Sequence, residues 1–334
     1  MQDTKLKPGL KTAKPAGVYA HLEELVRLQF KAQGFSFLPG QPVQSLLAGN
    51  HASRLRGRGL DFAELRQYRP GDDIRTMDWK CTKRTGHAYV RVYTEEKERS
   101  ALLIVDQRIN MFFGSQLNMK SVTAAEVAAL AAWRVFSSGD RVGAIVFNDT
   151  IIKEIRPQRS KKTIMQILKT IIQQNHALGV DRGITPGPGM LDKALQRVVH
   201  LAKHDFLICI ASDFDGLTPG TKRLIKLISK HNDVIIGLIY DPLAKEIPGV
   251  GALVVSDGDR QIMLDAHSEK LRKKVPGLFA GRLDSLTQEL SKYGVPIIPI
   301  HTAAGAAEQI RDILGARPGQ QLIPKKGPAI RGSR

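Results

Sequence analysis

Two apolar runs in this chain end in carboxylates. Ala101-Leu-Leu-Ile-Val-Asp106 and Phe206-Leu-Ile-Cys-Ile-Ala-Ser-Asp213 each read as a buried strand with an aspartate at its carboxyl end. Such a pair could hold magnesium, which takes oxygen ligands, and so support metal-assisted hydrolysis. Gly114-Ser-Gln-Leu-Asn-Met-Lys120-Ser121 has the length of a phosphate-binding loop. Met119, however, stands where a second glycine must curl the backbone, so Lys120-Ser121 is better read as a helix start. His200 and His204 have a spacing that zinc can use, yet Leu201 occupies the place of the catalytic glutamate. Both histidines fall opposite the Leu191, Leu195, Val198 stripe, which points them at solvent. Two cysteines, Cys81 and Cys209, exclude a disulfide framework or a four-thiolate zinc site. Cys209 lies in an apolar run and reads as a small buried hydrophobe. No cofactor is expected from these residues.

The elements that must position Asp106 and Asp213 alternate. Strands at 101–106, 141–147, 151–155, 206–211, 234–240 and 296–300 are separated by helical patterns, as a mostly parallel α/β sheet requires. Val122, Ala125, Ala129, Trp133 and Phe136 share one helical face, and Ser160 can cap a helix carrying Ile164, Ile167, Leu168 and Ile171. Asp257-Gly258 is a hairpin-turn signal. In an open sheet of this kind ligands sit at the carboxyl ends of the strands, where both aspartates stand. The reading divides the chain into a basic tail at 1–15, an N-terminal segment at 16–100 packed on the sheet, the α/β domain at 101–315, and a second basic tail at 316–334.

Lys and Arg number 50 against 32 Asp and Glu in 334 residues, a formal charge of +18. That balance favours an acidic partner: nucleic acid, anionic lipid or an acidic protein. Part of it lies in the Lys- and Pro-rich tails, which are expected to be disordered. The basic helix faces (Lys161, Lys162, Lys169; Lys193, Arg197, Lys203; Lys222, Arg223, Lys226, Lys230) lack interleaved aromatics, so nucleic-acid stacking is poorly supported. Arg56-Gly-Arg-Gly59 is a single, weak copy of an arginine–glycine motif. Without a membrane-length apolar run or a signal-peptide core, the expected location is cytoplasmic, with peripheral contact to an anionic membrane still open.

From Gly57 to Trp79 charges crowd around aromatics: Arg58, Asp61, Glu64, Arg66, Arg69, Asp72, Asp73, Arg75 and Asp78 beside Phe62, Tyr68 and Trp79. The spacing matches G-x-G-x-D-F-x-E-x-R-x-Y-x-x-G-D-D-x-R-x-x-D-W throughout. In this the chain resembles the bacterial domain of unknown function 58 family, with the likeness continuing through Asp106 and Ser212-Asp213-Phe214. The resemblance implies a von Willebrand factor A-like fold. Asp72 and Asp73 follow the turn signal Pro70-Gly71, so together with Arg75 they are expected at a loop tip open to a partner. Asp78 and Trp79 are expected inside, the indole anchoring the segment on the sheet.

Von Willebrand A proteins hold a metal with D-x-S-x-S, a later Thr and a second Asp. Here those positions fall on Asp106, Arg108, Asn110, Gly189 and Asp213, with Thr185 as a substitute for Gly189 if the loop shifts. Arg108 puts a fixed cation where a metal needs room, so the expectation is a degenerate metal-ion-dependent adhesion site. The resemblance further implies a non-enzymatic adaptor that serves a MoxR-type AAA+ ATPase in a chaperone-like remodelling system and brings it a protein client. The alternatives are a metal-dependent hydrolase using Asp106 and Asp213, or a basic nucleic-acid binder.

Overall fold

Strand residues alternate between two apolar layers, and that alternation builds the larger unit. The computed structural model describes residues 17–32, 60–95, 99–246, 252–256, 261–265 and 269–314. Both tails, Gly57–Gly59 with the Arg56-Gly-Arg-Gly59 motif, and the turn at Asp257-Gly258 lie outside the described residues. Chain contacts group into two compact units, Ala48–Arg99 and the remainder.

In the larger unit a six-stranded sheet is formed by β3 (Ser100–Asp106), β4 (Arg141–Phe147), β5 (Ile152–Gln158), β6 (Phe206–Ser212), β7 (Asp233–Tyr240) and β10 (Ile297–His301). The order is β10-β7-β6-β3-β4-β5, parallel except for β5. On one face Leu103, Val105, Ala144 and Val146 meet α3 (Lys120–Ser137), α4 (Lys161–Asn175) and α8 (Ala306–Leu314). On the other, Leu102, Ile104, Ile145 and Phe147 meet α5 (Met190–Leu201), α6 (Pro219–Ser229) and α7 (Glu269–Ser291). Adjacent strand residues belong to opposite cores, which is the period-two rule applied to a sheet covered on both sides. This is the open, mostly parallel sheet with helices on both faces that the alternation predicts.

The edge strand β5 carries Pro157, which an interior strand would not tolerate. It pairs with β4 across an irregularity at Val142/Ala144. A Cβ on the intervening Gly143 would stand 2.5 Å from the Ile155 carbonyl oxygen, so only glycine lets the two backbones approach there.

Helix α1 (Leu22–Lys31) packs on α3 and α4 through Leu25, with Ala20 and Ala32 in the same core. Polar groups fix it. Trp133 Nε1 donates to the Leu25 carbonyl at 3.0 Å, and Ala20 N donates to Asn175 Oδ1 at 2.8 Å. Asn175 in turn donates to Gln107 Oε1, and Gln107 to the Ser121 carbonyl. The α1 region thus belongs to the sheet unit.

The expected segment at 16–100 is therefore divided. Its later part folds as the smaller unit, where β1 (Leu60–Gln67) pairs antiparallel with β2 (Tyr89–Glu95). Between them lie a 3-10 turn (Ile74–Thr76) and α2 (Trp79–Thr85). A further pair, β8 (Ala252–Ser256) with β9 (Gln261–Asp265), forms a separate antiparallel ladder.

Candidate functional site

Asp106 ends β3, and Ser212-Asp213 ends β6, its neighbour in the sheet. The chain leaves β3 for β4 on one side and returns to β6 on the other. The crevice between their carboxyl ends is thus the switch point, where open α/β sheets bind ligands. Asp106 and Arg108 are buried, at 0% and 2% exposure.

Arg108 turns back on Asp106. Its Nε lies 3.0 Å from Oδ1 and 3.2 Å from Oδ2, its Nη2 2.7 Å from Oδ2, and its own backbone N–H donates to Oδ1 at 3.0 Å. Ser212 Oγ donates to Oδ2 at 2.6 Å. Burial raises the Asp106 pKa, against the pull of Arg108, and the nearby Asp213 charge adds to the rise. Burial also works against the guanidinium, but Asp106 outweighs it and the Arg108 pKa rises. Such a fork-on-carboxylate pair has its geometry fixed by two parallel bonds. The guanidinium also lies 5.7 Å from the centre of the Phe147 ring.

Asp213 is closed by different groups. Asn110 Nδ2 donates to both of its oxygens at 2.9 and 3.0 Å, Asp215 N donates to Oδ1 at 2.9 Å, and Lys120 Nζ lies 2.6 Å from Oδ2. The next residue, Phe214, is buried at φ 53, a left-handed conformation uncommon for a bulky side chain. Phe214 N donates to Ser212 Oγ, which helps hold that turn.

Two participants were missed in the sequence. Lys120 was set aside with the failed phosphate loop, yet as the first residue of α3 it delivers its ammonium to Asp213. Asp149 is buried and accepts from Ile109 N at 2.7 Å and Gly187 N at 2.8 Å. A Cβ on Gly187 would come within 2.4 Å of the Asp149 carbonyl oxygen, so the loop closes only over glycine. The signal for Lys120 was its charge at a helix start in the segment that follows β3. Asp149 offered none.

Gly189 and Thr185 take no part in this cluster. Gly189 precedes α5 as its N-cap, and Thr185 is exposed. His200 is exposed, and α5 ends at Leu201, so His204 does not share its helix and instead meets Asp205 at 3.0 Å. Among the basic faces, Lys222 pairs with Glu289 and Lys226 lies 4.9 Å from the centre of the Tyr293 ring. Cys209 lines an apolar void of roughly 20 Å³ under α3, far smaller than a ligand pocket, and burial pushes its thiol up to about 12.

In the smaller unit Asp72 accepts from Arg66 Nη2 and from Arg69 N, both at 2.8 Å, which holds its carboxyl below the ordinary value. Asp73 caps the 3-10 turn through Arg75 N, and both residues are exposed. Asp78 caps α2 through Lys80 N and Cys81 N and pairs with Arg91 at 2.9 Å. Its carboxyl, too, is held below the ordinary value, by the Cys81 N–H first and the Arg91 bond next. Trp79 corrects the reading above. The residue is 66% exposed, where the sequence reading expected it inside. Within the smaller unit Asp78 starts the helix and the β1–β2 ladder holds the segment, so hydrogen bonds fix its fold without a buried indole.

The family described as protein of unknown function DUF58 matches residues 64–278. The chain belongs to that family. Proteins similar to the chain include the uncharacterized proteins Mb1516 of Mycobacterium bovis and Rv1480 of Mycobacterium tuberculosis. Each is 26% identical over 263 residues, covering 78% of this chain and 81% of the relative. Among solved structures, the conserved hypothetical protein BatB from Bacteroides thetaiotaomicron aligns with a TM-score of 0.37 and 11% identity. That alignment covers 65% of this DUF58 chain and all of the BatB chain. Among the described residues no helix is long and apolar enough to cross a membrane.

Proposed function

We propose that this DUF58 protein is a non-enzymatic binding protein, an adaptor that works beside a MoxR-type AAA+ ATPase and brings it a protein client. One observation carries the reading. At the switch point the two carboxylates that could recruit a metal are each paired with a cation of the chain, Asp106 with Arg108 and Asp213 with Lys120. A divalent ion would have to displace a fixed guanidinium and an ammonium, and two positive charges already balance the two negative ones. The crevice therefore favours stability of the strand ends over hydrolysis, and supports a protein whose chemistry is supplied by a partner. The location that goes with this role is the cytoplasm, where such an ATPase finds nucleotide.

The test is affinity purification of the tagged full chain from its native bacterium, with mass spectrometry of what accompanies it. Enrichment of an AAA+ ATPase supports the reading, with binding then reconstituted from the two purified proteins. Saturable, magnesium-dependent phosphoester hydrolysis by the purified chain, abolished by Asp213→Asn, would replace the adaptor with the hydrolase alternative.

A further inference from the structure

We propose that the smaller unit docks on an anionic bilayer surface through one side of α2 and the turn before it, with Trp79 and Ile74 as apolar anchors. Trp79 is 66% exposed and Ile74 61%. Isolated exposed apolar residues are ordinary, but a tryptophan and an isoleucine five positions apart in one turn-and-helix segment call for an occupant.

The charge beside them says which. From Trp79 to Arg91 the chain carries Lys80, Lys83, Arg84 and Arg91 and no carboxylate. Positions 79, 80, 83 and 84 fall within about 140° of a helical wheel, so the indole and three cations share one side of α2. Lys80, Lys83 and Arg84 are exposed, as is Arg75 next to Ile74. The opposite side is used internally. Cys81 and Thr82 are partly buried, and Thr82 Oγ1 accepts from Tyr89 N at 3.1 Å.

Asp78 neutralises Arg91, but the acids of the turn are engaged away from Lys80, Lys83 and Arg84. Asp72 is engaged by Arg66, and Asp78 by Arg91 and the helix start. Asp73 is exposed and binds Arg75 N. Lysines spread over a helix side are point charges without the planar fork that reads a single carboxylate. A diffuse negative field acts on all of them at once, and tryptophan prefers the headgroup level of a bilayer. An anionic membrane surface therefore fits better than one acidic protein pocket.

The experiment uses the full chain with extruded vesicles of phosphatidylcholine alone or containing about a third phosphatidylglycerol, read by co-sedimentation and tryptophan emission. The chain has two tryptophans, and Trp133 is buried, so a blue shift on binding reports Trp79. Expected are binding to the anionic vesicles on the order of tenfold or more above neutral ones, a blue shift, and weakening by salt. Trp79→Ala and Lys80→Gln/Lys83→Gln should each weaken binding by roughly tenfold at unchanged circular dichroism, while Trp79→Phe keeps most of it. Absence of vesicle binding overturns the proposal. So does Trp79→Ala binding as tightly as wild type, which would assign any membrane affinity to charge elsewhere on the chain.

Discussion

The ammonium of Lys120 lies 2.6 Å from Oδ2 of Asp213, and the guanidinium of Arg108 lies 2.7 Å from Oδ2 of Asp106. Two carboxylates brought to the mouth of a parallel sheet are thus closed by two cations from the segment that follows β3. Each carboxylate at the strand ends is thereby held in an ion pair within the chain.

Removing one partner of such a pair should be costly. Arg108→Ala leaves Asp106 buried without its partner, and the expected loss is about 3–5 kcal/mol in chemical denaturation. Adding Asp106→Asn to that variant removes the orphaned charge and should recover part of the loss. An Arg108→Ala protein as stable as wild type would mean that the pair does not form.

Metal affinity should follow the same charges. Calorimetric titration of the wild-type chain with magnesium or manganese is expected to give no saturable heat. The variant Arg108→Ser/Lys120→Ser frees carboxylate oxygens and adds hydroxyls, so it should gain measurable manganese binding. An ordered ion between Asp106 and Asp213 in the wild-type crystal would contradict this.

The two tryptophans should behave oppositely. Trp133 is buried and bonded to Leu25, so Trp133→Ala is expected to cost about 3–5 kcal/mol. Trp79→Ala, at an exposed site, should stay within about 0.5 kcal/mol of wild type in the same denaturation experiment.

Acid should weaken the join between β7 and β10. Asp241 follows β7 and accepts from Ser115 N and Oγ, Thr302 Oγ1 and Leu243 N. Burial raises its pKa, but those four donors outweigh it and the net shift is downward. A depressed folded-state value means that its stabilisation is complete above the ordinary aspartate range. As pH falls through roughly 3.9 the unfolded chain takes up the proton first, and stability drops until the folded carboxyl protonates as well. Asp241→Asn should lower stability at neutral pH by about 1–3 kcal/mol and flatten that part of the acid slope in pH-dependent melts.

Much of this protein was legible in its residues. Apolar runs of strand length ending in Asp106 and Asp213, separated by helical stripes, dictate an open α/β sheet and place both aspartates at strand ends, because periodicity and run length are local properties. Family membership was carried by the Gly57–Trp79 spacing. Arg108 could be read as a cation beside Asp106, since its charge needs no coordinates to be counted. Only the tertiary structure decided which groups meet. Lys120 reaches Asp213, and Asp149 gathers the amides of Ile109 and Gly187, because crossovers bring together loops far apart in the chain. Burial is likewise a property of the whole fold. Trp79 looked like an anchor because large aromatics usually bury their rings. It is exposed, while Asp78 and the β1–β2 ladder hold the segment by hydrogen bonds.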